Sequence, residues 1–381
     1  MGRRSGSSAG ERRRSTIYDV AKEAGVSAAT VSHVLNGTAT ISEATRERVM
    51  AAIESQDYRP NNTARTLRKR RSGIIGLVTQ DMTSQFYSIM YERLLVRAQE
   101  AGYITFLTCG QQDSKLTRSN IEMLIEHQVD GMILVGNGYA EESLQAAEKY
   151  GVPVVLCDQY APNFHSVEFD NFNTMRRLVH CLCGEGMRRL AYIGVAGADG
   201  HENLYQRYRG FQQGMLDEGL NPDRYNIVLS REESKYFKYN REFRVFSDFL
   251  QKMPKEEWPE AVFASHDAIA QIFIASVLRS GGQVPQDMWV LGFDDTSHAF
   301  FSAPSISTVH QDPLELADES LQMLIVRMEK KDCRLHKVLQ QKIVIRESAP
   351  IAKYLLQREK LEILVDERSV AGAAGQLLEQ P

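Results

Sequence analysis

Two short helical patterns follow one another near the start of the chain. The first has apolar residues at helical spacing, and these are Ile17, Val20, Ala21 and Ala24. Thr16 is placed to cap this helix, and Asp19, three residues later, completes an approximate capping box. Gly25 supplies the left-handed conformation at which helices commonly stop. The pattern predicts a short helix that ends before Gly25.

A second helix restarts almost at once, with Ser27 as its predicted cap. Its inward positions are apolar, and these are Val31, Val34 and Leu35. The positions left on its outer face are small or polar, and these are Ala28, Ala29, Ser32 and His33. Asn36 and Gly37 end the helix. The pair predicts a helix, a tight turn and a helix with an unusually small outer face.

A third helical segment, "EATRERVMAAIESQDY", follows Ser42, which is its predicted cap. Val49, Ala52 and Ile53 supply its inner face, and the Arg59-Pro60 pair forces the chain out of helix. We therefore expect a small all-α domain over residues 15–59, preceded by a disordered basic arm over residues 1–14. Residues 60–72 then link this head to the rest of the chain.

From Gly73 the pattern changes to short apolar strands that alternate with amphipathic helices. The first series of strands is "SGIIGLVTQD", "YITFLTCG", "VDGMILVGN" and "VPVVLCDQ", with helices beginning near Gln85, Lys115 and Glu141. The second series is "RRLAYIGVAG", "YNIVLS", "EAVFASHD" and "MWVLGFDD", with helices beginning near Glu202, Asn240 and Asp267. Continuous apolar strands joined by helices indicate parallel sheets covered on both faces. We predict an α/β unit of two similar lobes over residues 73–350.

Residues 351–381 form a C-terminal extension in this interpretation. Their leucines and isoleucine lie in a stretch that favours a helix, at Leu355, Leu356, Leu361, Ile363 and Leu364. A tetramerising coiled coil needs three or four clean heptads, and the segment has barely two. We expect a short surface helix with a loose end.

The charge of the chain is unevenly distributed. Residues 1–72 carry 14 Lys and Arg against 7 Asp and Glu, a net charge of +7. The whole chain has 45 against 49, so the remainder has 31 against 42, a net charge of −11. A basic head on an acidic body indicates that only the head meets a polyanion, with a solvated basic tail as the alternative.

This asymmetry gives the small outer face of the second helix a physical reason. Such a helix can lie deep in the DNA major groove while its partner packs behind it. Ala28 and Ala29 would offer methyl contacts to thymine, and Ser32 and His33 could hydrogen-bond base edges or phosphate. A helical hairpin used only for packing has the same spacing. The charge asymmetry favours DNA binding.

In open parallel sheets, ligands bind beyond the carboxyl ends of the strands. The polar and aromatic residues that come just after the predicted strands are Asp81, Phe86, Asp158, Asp267, Asp294 and Asp295. These are candidates for a ligand site between the lobes. The alternative for Asp294 and Asp295 is that they cap the next segment.

Several function classes find little support in the sequence. The five cysteines are odd in number and lack a C-x-x-C pair, so we expect buried free thiols in a reducing cytoplasm. The chain has no G-x-S-x-G, no P-loop and no metal-ligand cluster with sensible spacing. No apolar run approaches a membrane span, and the basic N-terminus lacks the apolar stretch of a secretory signal. We expect a cytoplasmic protein that is not an enzyme and needs no cofactor or metal.

The segment "TIYDVAKEAGVSAATVSHVLNG", followed by "ISEATRERVMAAIESQDYRPNNTARTLRKRRSGIIGLV", resembles the head of the LacI/GalR family of bacterial transcription regulators. The similarity runs without a gap from Thr16 to about Val78. It implies a helix-turn-helix domain whose phosphate and base contacts come from Tyr18, Ser27, Thr30, Ser32, His33 and Asn36. Ala28 and Ala29 occupy the family's variable specificity positions.

The linker "PNNTARTLRKRRS", residues 60–72, would by itself be interpreted as solvated. The resemblance implies instead a hinge helix that folds only on the operator, with Leu67 wedged into the minor groove. Asn61, Ala64 and Arg65 also match the family pattern. Such a wedge costs a few kcal/mol of unstacking, which the contacts of the bent DNA offset.

The body resembles the periplasmic-binding-protein fold that the same family uses as its sensor, up to about Pro350. "QRYRGFQQGM" matches the segment whose arginine grips the effector, which implies Arg207. "LGFDDTSHAFFSAPSISTVHQD" matches closely and implies Asp294 at the pocket edge. The effector residues expected from these matches and from strand ends are Phe86, Asp158, Arg207, His266 and Asp294.

The chain departs from the family pattern at several positions near the expected effector site and the crossover into the second lobe. His266 stands where the family usually has Asn, and Ser84-Gln85-Phe86 stands where it often has Asn-Pro-Phe. Thr174 replaces a usual Gly, and Met187 a common His. The aromatic Phe86 could stack on a sugar face.

Together these features predict an allosteric DNA-binding regulator, a repressor by resemblance, that binds a near-palindromic double-stranded operator as a homodimer. A small-molecule effector, a sugar or related metabolite, would bind between the lobes and change operator affinity, and the coupling must be reciprocal. The alternatives are a solute-binding protein for transport, a doubly wound enzyme, and a regulator controlled by a partner protein. The basic head and the absence of a signal sequence disfavour the transport protein.

Overall fold

The structure is a computed structural model. It describes residues 15–36, 39–58, 71–80, 82–110, 113–136, 141–195, 203–229, 239–331 and 335–365. The chain divides into two units, Met1–Ser72 and Gly73–Pro381. The basic arm over residues 1–14 and most of the linker over residues 60–72 lie outside the described residues.

The head consists of three helices, α1 (Ile17–Ala24), α2 (Ala28–Asn36) and α3 (Glu43–Ser55). The predicted capping box is present, because Thr16 Oγ1 accepts from the Asp19 amide and the Asp19 carboxylate accepts from the Thr16 amide at 2.8 Å. Gly25 adopts the left-handed conformation with φ 65°. These local features end α1 and allow α2 to start within three residues.

The other two predicted caps differ from each other. Ser27 Oγ accepts from the Thr30 amide at 3.1 Å, as a capping serine does. Ser42 precedes α3, but its hydroxyl bonds the Thr45 hydroxyl at 2.9 Å and accepts from no backbone amide of the helix. The predicted start of α3 is therefore correct, although the side-chain cap is not formed.

The core of the head is small and consists mostly of valine and alanine. Val20, Val31 and Val49, one from each helix, are fully buried against one another, and Ile53 and Leu35 are partly buried beside them. These are the residues that the helical spacing placed on the inner faces. A core of this size is marginal for an independent domain.

The second unit alternates strands and helices. Its first part contains β1 (Ile74–Thr79), α4 (Gln85–Glu100), β2 (Ile104–Cys109), α5 (Ser114–Glu126), β3 (Gly131–Val135), α6 (Glu141–Lys149), β4 (Val154–Cys157), β5 (His165–Phe169) and α7 (Asn171–Gly184). Its middle part contains β6 (Leu190–Val195), α8 (Asn203–Asp217), β7 (Ile227–Leu229), α9 (Tyr239–Gln251), β8 (Ala261–Ala264), α10 (Asp267–Arg279), β9 (Trp289–Asp294) and α11 (Ser297–Phe301). Its last part contains β10 (Ser307–His310), α12 (Pro313–Met328), β11 (His336–Leu339), β12 (Lys342–Val344), α13 (Lys353–Arg358) and β13 (Glu362–Ile363).

The strands form two sheets, one in each lobe. The first has the order β11-β5-β4-β3-β1-β2 and is parallel throughout. The second has the order β13-β12-β10-β9-β8-β6-β7, and β12 runs antiparallel to β10 while the other pairs are parallel. The predicted two-lobed α/β unit with parallel sheets is confirmed. The strand pattern missed β5 and the four strands from β10 onward.

The chain passes between the lobes at three points. It leaves the first sheet after β5, near Asn171, and returns after β10, near Gln311. The helix α12 then buries Leu316 and Leu324 in the core of the first lobe, and β11 joins the first sheet. The third passage follows β11, at Gln341, because β12 belongs to the second sheet. Rotation of one lobe against the other must therefore act on these three crossover segments.

Residues 351–365 belong to the second lobe, which corrects the predicted boundary at Pro350. The predicted surface helix is α13, and it buries Leu355 and Leu356 in the core of that lobe. The strand β13 pairs with β12 and extends the second sheet. A helix of six residues and a strand of two are too short for hydrophobic periodicity to reveal.

Candidate functional site

The outer face of α2 presents a mixture of exposed and half-buried side chains. Ala29 and His33 are exposed, as is Ser27 at the start of the helix. Tyr18 projects from α1 with 74% of its surface exposed. Thr30 and Ser32 are half-buried, and the Thr30 hydroxyl lies 2.9 Å from the Ser27 hydroxyl. These side chains make the surface that the sequence predicted to face DNA.

Ala28 differs from the prediction that it lies on the outside. It is half-buried and packs against the core of the head, because it is the first residue of α2 and lies close to the turn. Asn36 is the last residue of α2, and its side chain is outside the described part of the structure. The predicted hinge contacts Asn61, Ala64 and Leu67 also lie outside the described residues.

Arg207 is the centre of the candidate effector site. It projects from α8 and is only 2% exposed. Its Nε donates to Asn171 Oδ1 at 2.9 Å, and its Nη1 donates to the Ser265 carbonyl at 2.7 Å. Its Nη2 donates to Asp294 Oδ1 at 3.1 Å, and the guanidinium lies 3.7 Å from the centre of the Phe293 ring. A buried charge of this kind is tolerated because it is paired and hydrogen-bonded.

Asp158 follows β4 and is 1% exposed. Its Oδ2 accepts from the Tyr87 hydroxyl at 2.7 Å and from the Asn203 amide, which comes from the other lobe. Its Oδ1 is buried and has no hydrogen-bond partner among the described residues. Burial raises the pKa of Asp158 to about 6, and the Asp294 carboxylate adds to this, against the hydrogen bond from Tyr87 and the charge of Arg207. Asp158 is thus a buried carboxylate with one oxygen that has no hydrogen-bond partner among the described residues.

The carboxylates of the site lie on unusual backbone. Asp158, Asp294 and Asp295 have φ values of 59°, 97° and 55°. Residues other than glycine rarely adopt positive φ, and such positions are concentrated at functional sites. Asp158 follows β4, Asp294 is the last residue of β9 and Asp295 follows it. All three therefore lie at carboxyl ends of strands, where parallel sheets bind ligands.

Asp295 and Asp267 have structural partners. Asp295 accepts from Arg346 Nη2 at 2.7 Å and lies 3.0 Å from His310 Nδ1. Although burial opposes ionisation, these two partners lower the pKa of Asp295. Asp267 accepts from the Thr296 amide at 2.7 Å and from the Thr308 hydroxyl at 2.6 Å, which ties α10 to the residues after β9. Neither Asp294 nor Asp295 caps the next helix, whose N-cap is Thr296, so the capping alternative is not supported. Asp295 bonds Arg346 and His310, whereas Asp294 bonds the buried arginine.

Phe86 is not placed where it could stack on a ligand between the lobes, whereas His266 lies close to the contacts of Arg207. Phe86 is buried in the core of the first lobe beside Met90, and its ring meets the Tyr87 ring edge-on at 5.3 Å. The neighbouring Tyr87 is the aromatic residue that reaches Asp158. His266 is half-buried in extended backbone at the start of α10, next to Ser265, whose carbonyl accepts from Arg207.

The structure also brings residues to the site that the sequence analysis did not select. These are Tyr87, Asn203, Asn171, Gln311 and Gln341. Asn171 and Gln311 follow strands that the pattern did not reveal. Because those strands were not predicted, no sequence signal marked either residue as lying at a strand end.

The described residues contain neither a membrane-spanning helix nor a metal-ligand cluster. In that part of the chain, no helix has the length and apolar content that a membrane crossing requires. Among the same residues, no group of three His, Cys, Asp or Glu side chains is placed to hold a metal ion.

Comparison with known proteins gives matches in both units. Residues 16–61 match the family described as "Bacterial regulatory proteins, lacI family", and residues 179–349 match the "Periplasmic binding protein-like domain". The ribose operon repressor of Escherichia coli K12 is 31% identical over 318 residues, which cover 82% of this chain and 93% of that protein. The transcriptional repressor PurR of Haemophilus influenzae PittEE is 29% identical over 326 residues, covering 83% and 92%.

Solved structures give the same picture. The lac repressor dimer bound to operator and the anti-inducer ONPF has a TM-score of 0.77 at 23% identity, covering 89% of this chain and all of that one. The complex of the transcriptional regulator CelR with cellobiose has a TM-score of 0.63 at 27% identity, covering 88% and 100%. The relatives named here are transcriptional regulators, not enzymes. With a helix-turn-helix head, a two-lobed sensor fold and a relative more than 30% identical over most of its length, the chain belongs to the lacI family of bacterial regulatory proteins.

Proposed function

We propose that this member of the lacI family is a DNA-binding repressor that binds a near-palindromic operator as a homodimer. A small neutral molecule bound between its lobes, a sugar or a related polyol, then changes its affinity for the operator. The observation that supports effector binding is the buried Arg207, which is held by Asn171 and Asp294. Its charge acts on Asp158, a buried carboxylate with one oxygen that has no hydrogen-bond partner among the described residues.

The DNA-binding step uses the outer face of the head. We assign it to Tyr18, Ser27, Ala28, Ala29, Thr30, Ser32, His33 and Asn36 in the helices and to Asn61, Ala64 and Leu67 in the hinge. Support comes from the small or polar side chains of α2, the net charge of +7 over residues 1–72, and the family match of the head. A lac repressor dimer bound to operator has the same fold, which supports two-fold symmetry in the protein and its half-sites.

The effector step uses Asp158, Arg207, His266 and Asp294, with Tyr87 in place of Phe86 and with Asn203 added. The planar guanidinium of Arg207 suits vicinal hydroxyl groups. Asp158 and Asp294 are acceptors, so they favour a ligand that donates O–H groups and oppose a phosphorylated or carboxylated one. The names of the ribose operon repressor and the CelR–cellobiose complex support a carbohydrate.

Ligand binding would change lobe closure because direct hydrogen bonds already join the two lobes near Asp158. Asp158 and Tyr87 of the first lobe bond Asn203 of the second. Gln85 Oε1, also from the first lobe, accepts from the Ser297 amide at 2.8 Å and from its hydroxyl at 2.9 Å. A ligand that displaces or adds to these bonds favours one closure angle, and only its differential affinity for the two angles can shift operator binding.

The first experiment is a thermal-shift screen of the protein against neutral sugars, polyols, sugar phosphates and nucleosides. A ligand at about a hundred times its dissociation constant adds roughly 2.7 kcal/mol of stability, enough for a readable rise in melting temperature. We expect a neutral sugar or polyol to stabilise the protein and its phosphorylated form to have no effect. Stabilisation only by phosphorylated compounds would contradict the proposed ligand class, and no response to any compound would favour control by a partner protein.

DNA binding is tested separately by selecting sites from random duplex DNA. We expect enrichment of a sequence with two-fold symmetry. Enrichment of an asymmetric site, or of none, would contradict the homodimeric operator complex. Because operator binding acts on DNA in the nucleoid, the proposal also places the protein in the cytoplasm.

A further inference from the structure

Each of the three crossover segments places one amide side chain in the interior between the lobes. Asn171 follows β5, Gln311 follows β10 and Gln341 follows β11, and all three are buried. Crossovers that served only as connections would need no amide groups there, because a buried amide is costly unless it is hydrogen-bonded. Their bonds therefore indicate what these three residues do.

The three amides form a closed ring with two residues of the effector site. Gln341 Nε2 donates to Gln311 Oε1 at 2.8 Å and to Asn171 Oδ1 at 3.4 Å. Gln311 Nε2 donates to Asp294 Oδ1 at 2.9 Å. Arg207 closes the ring by donating to Asp294 at 3.1 Å and to Asn171 at 2.9 Å. We call these five residues the crossover ring.

The direction of the hydrogen bonds fixes the orientation of every member. Arg207 can only donate, and it donates to Asn171 and Asp294, so both of these present an oxygen toward the ring. Gln341 must then donate to Asn171, and it donates to Gln311 with the same amide nitrogen. If the Gln341 amide were reversed, its oxygen would face two other oxygens. Every contact within the ring is therefore a donor–acceptor pair, while Gln341 Oε1, which points away from these contacts, is buried without a hydrogen-bond partner among the described residues.

We infer that Gln341, Asn171 and Gln311 are positioning residues for Arg207, and that the ring couples the pocket to the three crossovers. A rotation of the lobes displaces the crossovers and must lengthen bonds of the ring. A ligand that moves Arg207 or Asp294 acts on the same bonds from the other side. The hydrogen bonds of the ring thus link the angle between the two lobes to the positions of Arg207 and Asp294 in the effector site. The role of Arg207 as an effector contact rests on the proposed function, whereas the hydrogen bonds of the ring do not depend on it.

The first test measures hydrogen–deuterium exchange in the whole protein without any ligand. Gln341→Met removes the two donor bonds while keeping a similar volume. We expect amide exchange to rise about tenfold in all three crossovers, near residues 171, 311 and 341, because one net hydrogen bond corresponds to about that factor. Gln271→Met is the matched control, since Gln271 bonds His298 in the second lobe and belongs to no crossover. Faster exchange confined to the neighbourhood of residue 341 would overturn the ring.

The second test is a double-mutant cycle between two residues that have no direct hydrogen bond to each other in the ring. Gln341→Met and Arg207→Met should each lower the melting temperature by a few degrees. The two variants combined should lower it by less than the sum, because either one already opens the ring. Additive losses would show that the two residues act independently and would contradict the coupling. If Gln341→Met does not fold, Gln311→Met opens the same ring from another crossover.

The outcome separates the ring from the proposed function. Non-additive losses together with an operator complex that ignores every small molecule would leave the ring intact and refute effector control. Additive losses together with a ligand that releases operator would refute the ring and leave effector control intact.

Discussion

The head and the cleft between the lobes are built for recognition in opposite ways. The candidate DNA contacts Tyr18, Ala29 and His33 are exposed on a core of a few small side chains. The candidate effector contacts Arg207 and Asp158 are almost completely buried and are held by directional hydrogen bonds from two lobes. A DNA-binding region with a net charge of +7 over residues 1–72 binds through charge and is sensitive to salt, whereas a buried site depends on exact hydrogen-bond partners. Changes in the head should therefore alter affinity without altering stability, and changes in the cleft should alter both.

Salt should separate the two regions most strongly. A dimer that neutralises six or more phosphates loses roughly 10³-fold or more in operator affinity between 50 and 200 mM salt. Binding of a neutral ligand in the buried cleft should change little over the same range, because buried interactions are screened much less. Fluorescence anisotropy with labelled operator and titration calorimetry with the ligand measure the two dependences. Equal salt dependence of both would contradict the contrast between the regions.

Removal of Arg207 should have the largest effect on stability. Arg207→Met removes the ion-pair partner of Asp294, whose side chain is only 13% exposed, and breaking a largely buried pair costs about 3 kcal/mol. Urea unfolding of the whole chain measures the loss. Arg209→Met is the matched control, because Arg209 lies exposed on the same helix and surface substitutions stay within about 0.5 kcal/mol. Similar losses of unfolding free energy in the two variants would mean that the Arg207–Asp294 pair stabilises the fold no more than an exposed arginine does.

The hinge wedge should show the reverse behaviour, a loss of affinity at constant stability. Leu67→Ala should weaken operator binding by about 2 kcal/mol, roughly thirtyfold, because the wedge acts only in the ordered hinge on bent DNA. Binding to random DNA and the unfolding midpoint should stay the same. Equal weakening on operator and random DNA would remove Leu67 from the proposed wedge.

The pH dependence of the unfolding free energy should show the raised pKa of the buried Asp158. A carboxyl group whose pKa is raised on folding stabilises the protonated protein, so stability falls as pH rises from about 4 to about 6. Asp158→Asn has no such group, and its stability should rise relative to the unchanged protein by about 2 kcal/mol across that window. Differences in unfolding free energy at pH 4.5 and pH 7 measure this shift.

Asp217 provides a control of opposite sign. Although burial opposes ionisation, Arg176 lowers the pKa of Asp217, so this residue contributes stability at neutral pH that is lost as pH falls through the acid range. Asp217→Asn should therefore lose stability relative to the unchanged protein as pH rises. A shift of the same sign in both variants would contradict the account of Asp158.

The sequence predicted the head more completely than the cleft, for physical reasons. The capping box at Thr16, the stop at Gly25 and the inward valines depend on residues within a few positions of each other. Burial in the cleft depends on strands that pair over long distances along the chain, such as β5 with β11. A pattern within one segment does not contain that information.

The cleft residues show where the prediction was limited. Arg207, Asp158 and Asp294 were expected at the ends of strands or through family resemblance, and the structure brings Arg207 and Asp294 together with Asp158 nearby. The aromatic residue was misplaced by one position, since successive residues of α4 point about 100° apart and Tyr87, not Phe86, reaches Asp158. The crossover amides were missed because their strands are four or five residues long and follow no helix–strand alternation.

The central claim is that a ligand in the cleft controls operator affinity through Arg207. The most direct measurement is the operator dissociation constant with and without the stabilising sugar or polyol, for the unchanged protein, Arg207→Met and Arg209→Met. We expect the ligand to change operator affinity about 5- to 150-fold in the unchanged protein and in Arg209→Met, as allosteric couplings typically do, and not in Arg207→Met. An unchanged ligand response in Arg207→Met would place the effector site elsewhere and contradict the account.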